Sequence, residues 1–376
     1  MIADIAIVGG GAAGIMAAIR AAELGKDVAL LERNETLGRK ILITGKGRCN
    51  ITNSAPLDVF IKKFGKQGPF LRTAFYKFFN EDLIAFFGAR GLELKTERQG
   101  RVFPATDKAL SVLNVLEKAL DDGGVKIIYN ARIKGIKKDG AAFDLDTEDG
   151  KKIQARKVII ATGGASYKAT GSTGDGFHVA AGLGHKIADL RPGLVPLVTK
   201  EKWIGDLQGL GLENVRVTFR VGAKRMSSEV GDVMFTHFGV SGPIILDMSG
   251  DDVEDIDERK EIPMEIDLKP GLRNEQLESK LVHKFAVKGN VQMKNLMQDI
   301  LPKKMVPVFL SLLKISDAKR GNQITKDERR AMIDTLKAFP LTITGSLPIE
   351  EAMVTGGGVS IKDINPRTME SKIVPG

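Results

Sequence analysis

The chain has 376 residues, of which 43% are hydrophobic and 27% charged, and its 56 Lys and Arg against 47 Asp and Glu give a net charge of +9. The length exceeds one ordinary domain, and the composition is that of a globular protein with a sizeable core. No apolar run approaches the roughly 20 residues that cross a bilayer, and the single cysteine, Cys49, excludes an intrachain disulfide and a multi-cysteine metal site. The first strand starts at Ile2, which leaves no room for a signal peptide, so a cytoplasmic protein without a membrane partner is expected. Lys and Arg are scattered, with no basic block and little aromatic interleaving, so the surface reads as solvated and mildly basic, with no nucleic-acid partner.

Residues 2–10 read as a strand buried on both faces, as in a parallel sheet. Gly9, Gly11 and Gly14 follow in the pattern G-x-G-x-x-G, opening a helix that runs through Leu24 with Ala13, Met16, Ala17, Ala21 and Leu24 as its apolar face and Gly25 as its stop. Val28–Leu31 is a second buried strand, ending in the acid Glu32, which lies 23 residues after Gly9. Each part has a task in binding a dinucleotide. Gly9 permits the tight turn, Gly11 lets a pyrophosphate approach the backbone, and Gly14 lets helix and strand pack closely. The N–H groups of Ala12 and Ala13 face the phosphates, and Glu32 accepts from ribose hydroxyls.

The motif alone leaves FAD and NAD open. A nicotinamide dehydrogenase would continue with further βα units. Here residues 37–53, Leu-Gly-Arg-Lys-Ile-Leu-Ile-Thr-Gly-Lys-Gly-Arg-Cys-Asn-Ile-Thr-Asn, form a polar, glycine-bearing stretch that cannot bury a core face but can wrap an extended ligand, which points to FAD. Residues 110–120 predict a helix with Leu113, Leu116 and Leu120 on one face, and residues 125–129 a further parallel strand. Residues 133–137, 142–147 and 153–156 predict an antiparallel meander with turns at Asp139-Gly140 and Asp149-Gly150, after which Val158–Ala161 rejoins the sheet. A helix starts at Asp175, its N-terminus a second place where N–H groups can face a ligand. The fold class expected is α/β, a Rossmann-like FAD-binding domain with parallel sheet and β-meander plus an inserted α+β cap. The first part spans 1–189, the cap 190–340, and the returning part 341–376. Within the cap, strands are expected at 195–198, 215–220 and 223–226, a charged solvated connection at 251–261, and helices over 274–338.

The run GRKILITGKGRCNITN resembles the signature of a family of bacterial NAD(P)/FAD-dependent oxidoreductases that includes aminoacetone oxidase and flavin-dependent bile-acid dehydro-reductases. Further matches follow in order: Arg101-Val102-Phe103-Pro104, Ala161-Thr162-Gly163-Gly164-Ala165-Ser166-Tyr167, Thr170 to Gly176, Phe235-Thr236-His237, Ser241-Gly242-Pro243 and Ile364 to Lys372. The resemblance covers essentially the whole chain. It implies FAD held by Gly9, Gly11, Ala12, Ala13, Gly14, Glu32, Arg33, Lys40, Gly47, Arg48, Cys49, Asn50, Ala161, Thr162 and Gly163, with the backbone near Arg132 and Ile133 meeting the adenine. Lys168 stands where the family pattern has proline. The sequence stops at Gly376, where the family continues into a strand, an acidic motif and a glycine-rich helix start facing the flavin, so weak FAD retention and little turnover are expected.

A flavin carries its own redox chemistry, so the chain needs neither nucleophile nor metal. The four histidines, His178, His185, His237 and His283, have no ligand spacing. His237 and Tyr167 are the candidates for polar groups facing a substrate; Cys49 reads as a small buried residue. With no second glycine motif of this context, the flavin exchanges electrons with a small-molecule substrate and with oxygen or a transient NAD(P)H. Three functions compete: an amine oxidase of the aminoacetone type or an enone-type reductase, a tRNA-modifying flavoprotein, and an FAD-binding remnant.

Overall fold

The structure is a computed structural model and describes residues 2–222, 224–251 and 261–376. It divides into two compact units, Met1–Arg191 with Thr355–Gly376, and Pro192–Val354. In chain order the first unit contains β1 (Ile2–Val8), α1 (Ala12–Glu23), β2 (Val28–Leu31), α2 (Arg39–Ile43), β3 (Thr52–Asn53), α3 (Leu57–Lys63), α4 (Gly68–Lys77), α5 (Asn80–Gly88), β4 (Leu94–Thr96), β5 (Arg101–Pro104), α6 (Ala109–Asp122), β6 (Lys126–Ile128), β7 (Ile133–Asp139), β8 (Ala142–Thr147), β9 (Lys152–Ile160) and α7 (Asp175–Gly182). The strands β10 (Ile187–Gly193) and β18 (Val354–Val359), at the ends of its two segments, pair as a two-stranded sheet.

The main sheet has the order β6-β2-β1-β9-β8-β7. Its first four strands are parallel, with Ile7 between Leu30 and Ile159. The last three are antiparallel, turning at Gly140 and Gly150, both at positive φ. The meander and the returning strand are one element: β9 is continuous, pairing with β8 through Ala155 and with β1 through Ile160. The polar stretch 37–53 is not all coil, since Arg39–Ile43 forms the short α2, which buries Ile41. Helix α6 buries Val112, Leu113, Leu116 and Leu120, the spacing of one helical face.

Helix α1 packs Met16, Ala17 and Ala21 on the core as expected, but its roll differs at Ala13 and Leu24. Gly14, Ile15, Ala18, Ile19 and Ala21 are its buried residues, while Leu24 is 60% exposed and Ala13 lies on the open side. The reason is Gly14. A Cβ there would strike the carbonyl oxygen of Gly9, so the helix sits with this position pressed onto the strand-end turn and Ile15, Ala18 and Ile19 beneath it. Gly25, at φ 72°, ends the helix as the sequence predicts.

The second unit contains β11 (Leu197–Thr199), β12 (Gly211–Val221), β13 (Lys224–Ser227), β14 (Gly231–Phe235), β15 (Gly239–Ser241), α8 (Pro243–Asp251), β16 (Ile262–Asp267), α9 (Asn274–Val287), α10 (Met293–Leu296), α11 (Val306–Leu312), α12 (Lys326–Lys337) and β17 (Phe339–Ser346). Its strands run β13-β12-β14-β15-β11-β17-β16, and β16 also pairs with β12, closing the sheet on itself. Residues 341–354, expected in the returning part, therefore lie in the second unit: Phe339, Leu341 and Ile343 alternate into its core, and β17 hydrogen-bonds to both β16 and β11. Ala223 and most of the expected charged connection, residues 252–260, lie outside the described residues. No helix among the described residues is long and apolar enough to cross a membrane.

The roll of α1 is testable. Ile15→Ala removes a fully buried side chain and is expected to cost about 2–5 kcal/mol in urea unfolding, whereas Leu24→Ala stays within about 0.5 kcal/mol. The reverse order would mean that the helix presents its other face to the sheet.

Candidate functional site

A cavity of about 400 Å³ opens in the first unit at the C-terminal ends of β1, β2 and β9. Gly9, Gly11, Ala12, Ala13, Glu32, Arg33, Lys40, Arg132, Ile133, Ala161, Thr162 and Gly163 all line it, brought together from four separate stretches of chain. Gly9 is at φ 110°, and a Cβ there would stand 2.5 Å from the carbonyl oxygen of Ala161, so the turn admits only glycine. Gly14 lies beneath this turn. Gly11 is the opposite case: nothing lies within 4 Å of where its Cβ would be, so the space above it is open. No side chain caps α1, its first turn holds no acid, and the N–H groups of Ala12 and Ala13 donate to no group among the described residues. These unpaired donors, with the positive end of the helix behind them, suit an anion.

Glu32 is buried, at 6% exposure, and held on both sides. Its Oε2 accepts from the N–H of Gly10 at 2.7 Å, and its Oε1 accepts from the N–H of Asn34 at 2.8 Å and from Asn34 Nδ2 at 2.6 Å. The carboxylate thus fastens the glycine turn to the end of β2, leaving about one of its roughly four lone-pair sites for a ligand.

Two arginines on the rim are already paired. Arg132 makes a two-pronged contact with Asp175, Nε to Oδ2 at 2.8 Å and Nη2 to Oδ1 at 3.0 Å, and Arg33 Nη1 reaches the same carboxylate at 3.0 Å and Thr173 Oγ1 at 2.5 Å. The hydrogen bonds from Arg132 hold the Asp175 carboxyl below its ordinary range, against a smaller opposing effect of burial. Sequence reading gives Asp175 only as a helix start. Its role as the anchor of both arginines has no sequence signal, since its partners lie 142 and 43 residues away.

Lys40 is different. Its Nζ donates to the carbonyl oxygen of Ser166 at 3.1 Å, no carboxylate faces it among the described residues, and burial lowers its pKa. A partly desolvated cation without a counter-ion is a cost that an anionic ligand would remove.

Gly47, Arg48, Cys49 and Asn50 do not line the cavity. Arg48 stacks over the Phe103 ring at 4.0 Å and bonds Glu97 at 2.8 Å and Asp107 at 3.2 Å. These contacts secure a loop in which Lys46 and Cys49 hold left-handed backbone, a strain of about 1–3 kcal/mol each. The Asn50 amide, oriented to suit its neighbours, donates to Thr52 O at 3.0 Å. Cys49 is buried, which pushes its thiol up to about 11. Tyr167 adopts left-handed backbone and is not among the cavity residues; its neighbours Ala165 and Ser166 donate their N–H groups to Thr355 Oγ1 at 2.8 and 3.1 Å. His237 belongs to the second unit, between β14 and β15, edge-on to Phe238.

Gly11→Val should leave secondary structure and melting temperature near those of the parent, because its side chain meets only open space, yet abolish dinucleotide binding in equilibrium dialysis. Retained binding would place the ligand elsewhere.

Residues 3–376 match the family model described as HI0933-like protein Rossmann domain. The chain is 31% identical over 374 residues to the 3-dehydro-bile acid delta(4,6)-reductase of Clostridium scindens, covering 99% of this chain and 90% of the relative. It is 30% identical over 379 residues to the ribosomal RNA dihydrouridine synthases of Haemophilus influenzae and Escherichia coli, covering 98% and 99% of this chain and 89% of each relative. The chain is therefore an oxidoreductase of the HI0933-like Rossmann family.

Proposed function

We propose that this chain is an FAD-dependent reductase of carbon–carbon double bonds conjugated with a carbonyl. The observation that carries the reading is the open space above Gly11, with the unpaired N–H groups of Ala12 and Ala13 at its edge. Lys40 adds a cation without a counter-ion among the described residues. The residues present fit an adenine dinucleotide: an anion cradle at α1, the buried acid Glu32 beside it, and Arg132 and Ile133 lining the same cavity. The cavity volume falls in the ordinary range of cofactor sites, about 300–1,000 Å³. When bound, FAD supplies two-electron chemistry. The chain itself supplies binding, fixed charge and orientation.

The choice of reaction follows from what the relatives' names have in common. A delta(4,6)-reductase acting on a 3-dehydro bile acid saturates a ring alkene conjugated with a ketone; dihydrouridine differs from uridine by saturation of a ring alkene conjugated with a carbonyl. Both are enone-type reductions, and this supports the reductase reading over the amine oxidase. Each reduction adds two electrons and two protons to the alkene, so an external donor such as NAD(P)H is required.

The test is anaerobic. The FAD-loaded chain is reduced stoichiometrically, then mixed with a 4-en-3-one steroid or a uridine-containing oligonucleotide, and the flavin spectrum is followed with mass analysis of the product. Reoxidation together with a product heavier by two hydrogens is expected with at least one probe. If neither probe reoxidises the flavin while molecular oxygen does so rapidly, the reductase reading fails.

Lys40→Met should raise the Kd for FAD about tenfold, the loss of one charge-assisted hydrogen bond. It should not lower the melting temperature, since Lys40 is a partly desolvated cation that no carboxylate compensates among the described residues. Unchanged affinity would remove Lys40 from the site.

A further inference from the structure

The segment between β3 and α5 carries a feature that the cofactor site does not use. Residues 57–79 hold five basic side chains, Lys62, Lys63, Lys66, Arg72 and Lys77, against one acid, Asp58. Their net +4 is a large share of the chain's +9 in one short helical pair. The pair has an inner aromatic layer: Phe60 meets Phe75 and Phe79 edge-on, with ring centroids at 5.9 and 4.9 Å, and Phe75 meets Phe79 at 5.6 Å. Gly68 lets the start of α4 press against the carbonyl of Ile61. Around that layer stand rings facing water. Phe64 is 49% exposed, Tyr76 69% and Phe78 44%, and these are three of the five aromatic side chains exposed among the described residues. Lys62, Arg72 and Lys77 make no ion pair among the described residues, and Arg72 lies one helical turn before Tyr76 on α4.

Exposed rings interleaved with unpaired cations are what a single nucleic-acid strand requires. Bases stack on the rings regardless of sequence, and the cations follow the phosphates. An interfacial membrane helix would need a continuous apolar face turned outward; here Phe60, Phe75 and Phe79 spend that face on one another. We propose that α3 and α4 form a docking surface for single-stranded RNA. The surface belongs to the same unit as the cavity, and Asn80 fastens its far end to β3, donating to the carbonyl oxygens of Asn53 at 2.7 Å and Ala55 at 3.0 Å. The proposal deepens the reductase reading, and only the choice of a uracil-bearing strand rests on that reading. It stands against the expectation of no nucleic-acid partner, which treats the cations as scattered.

The experiment is fluorescence anisotropy of a labelled, uridine-containing single-stranded RNA with the full FAD-loaded chain over a salt series. Saturable binding that weakens steeply with salt is expected. The combined variant Lys62→Gln, Arg72→Gln, Lys77→Gln should lower the slope of log affinity against log salt by about 2, the change for three phosphate contacts to a single strand. The combined variant Phe64→Ala, Tyr76→Ala, Phe78→Ala should weaken binding about tenfold or more at an unchanged slope. Tyr76→Ala alone, at the most exposed ring, should weaken it in the same sense. Flavin content and circular dichroism report folding independently. The proposal is overturned if the parent does not bind the RNA, if the variants of parental flavin content bind as the parent does, or if phosphatidylglycerol vesicles are bound and RNA is not. RNA binding without flavin reoxidation by either the uridine or the 4-en-3-one probe would leave the docking surface standing and remove the reductase reading.

Discussion

Everything at the cofactor end of this fold depends on one close contact, Gly14 of α1 seated against the carbonyl of Gly9. It sets the height and roll of the helix over the sheet. Ile15, Ala18 and Ile19 are thereby turned into the core, and the first N–H groups of the helix are brought to the open side. Gly9 can make that turn because it has no Cβ to meet Ala161, the residue that follows the neighbouring strand β9. Dipole, free donors and empty space above Gly11 all follow from the seat, with no side chain involved.

Fixed charge is then arranged around this backbone device. Glu32 ties the glycine turn to the end of β2, and Asp175 at the start of α7 holds Arg33 and Arg132 together, so the rim is braced by ion pairs within one unit. These arginines are partly exposed, so their value lies in orientation more than in stability. Lys40 stands outside this pairing and faces no carboxylate among the described residues. Buried as a neutral thiol, Cys49 lacks the thiolate that redox or nucleophilic chemistry would need.

Much of this was legible in the sequence where the signal is local. The glycine spacing reports backbone conformation directly, and the turns Asp139-Gly140 and Asp149-Gly150 mark the meander. Where the sequence misleads, the cause is physical. Helix α1 reads Ala-Ala-Gly-Ile-Met-Ala-Ala-Ile, apolar nearly all round, so periodicity cannot fix its roll and a single glycine contact does. Strand β17 has the two-residue alternation of a half-buried strand, but it follows helix α12 after one residue, and its long-range pairing with β16 and β11 shows to which unit it belongs. The anchoring of Arg33 and Arg132 by Asp175 has no local signature. The rings and cations of residues 60–79 read in the sequence as scattered charge with little aromatic interleaving; the fold shows which rings are spent inside and which remain in water.

The central claim is that the first turn of α1 and the strand end at Ala161–Gly163 hold a flavin dinucleotide. Hydrogen–deuterium exchange of the full chain with and without FAD tests it directly, because amides that acquire a ligand acceptor exchange more slowly. The account predicts strong protection over residues 9–14 and 161–175 on adding FAD, and none over the loop 45–50 or the helices α3 and α4. Protection centred on residues 45–50, with the glycine turn unchanged, would contradict it.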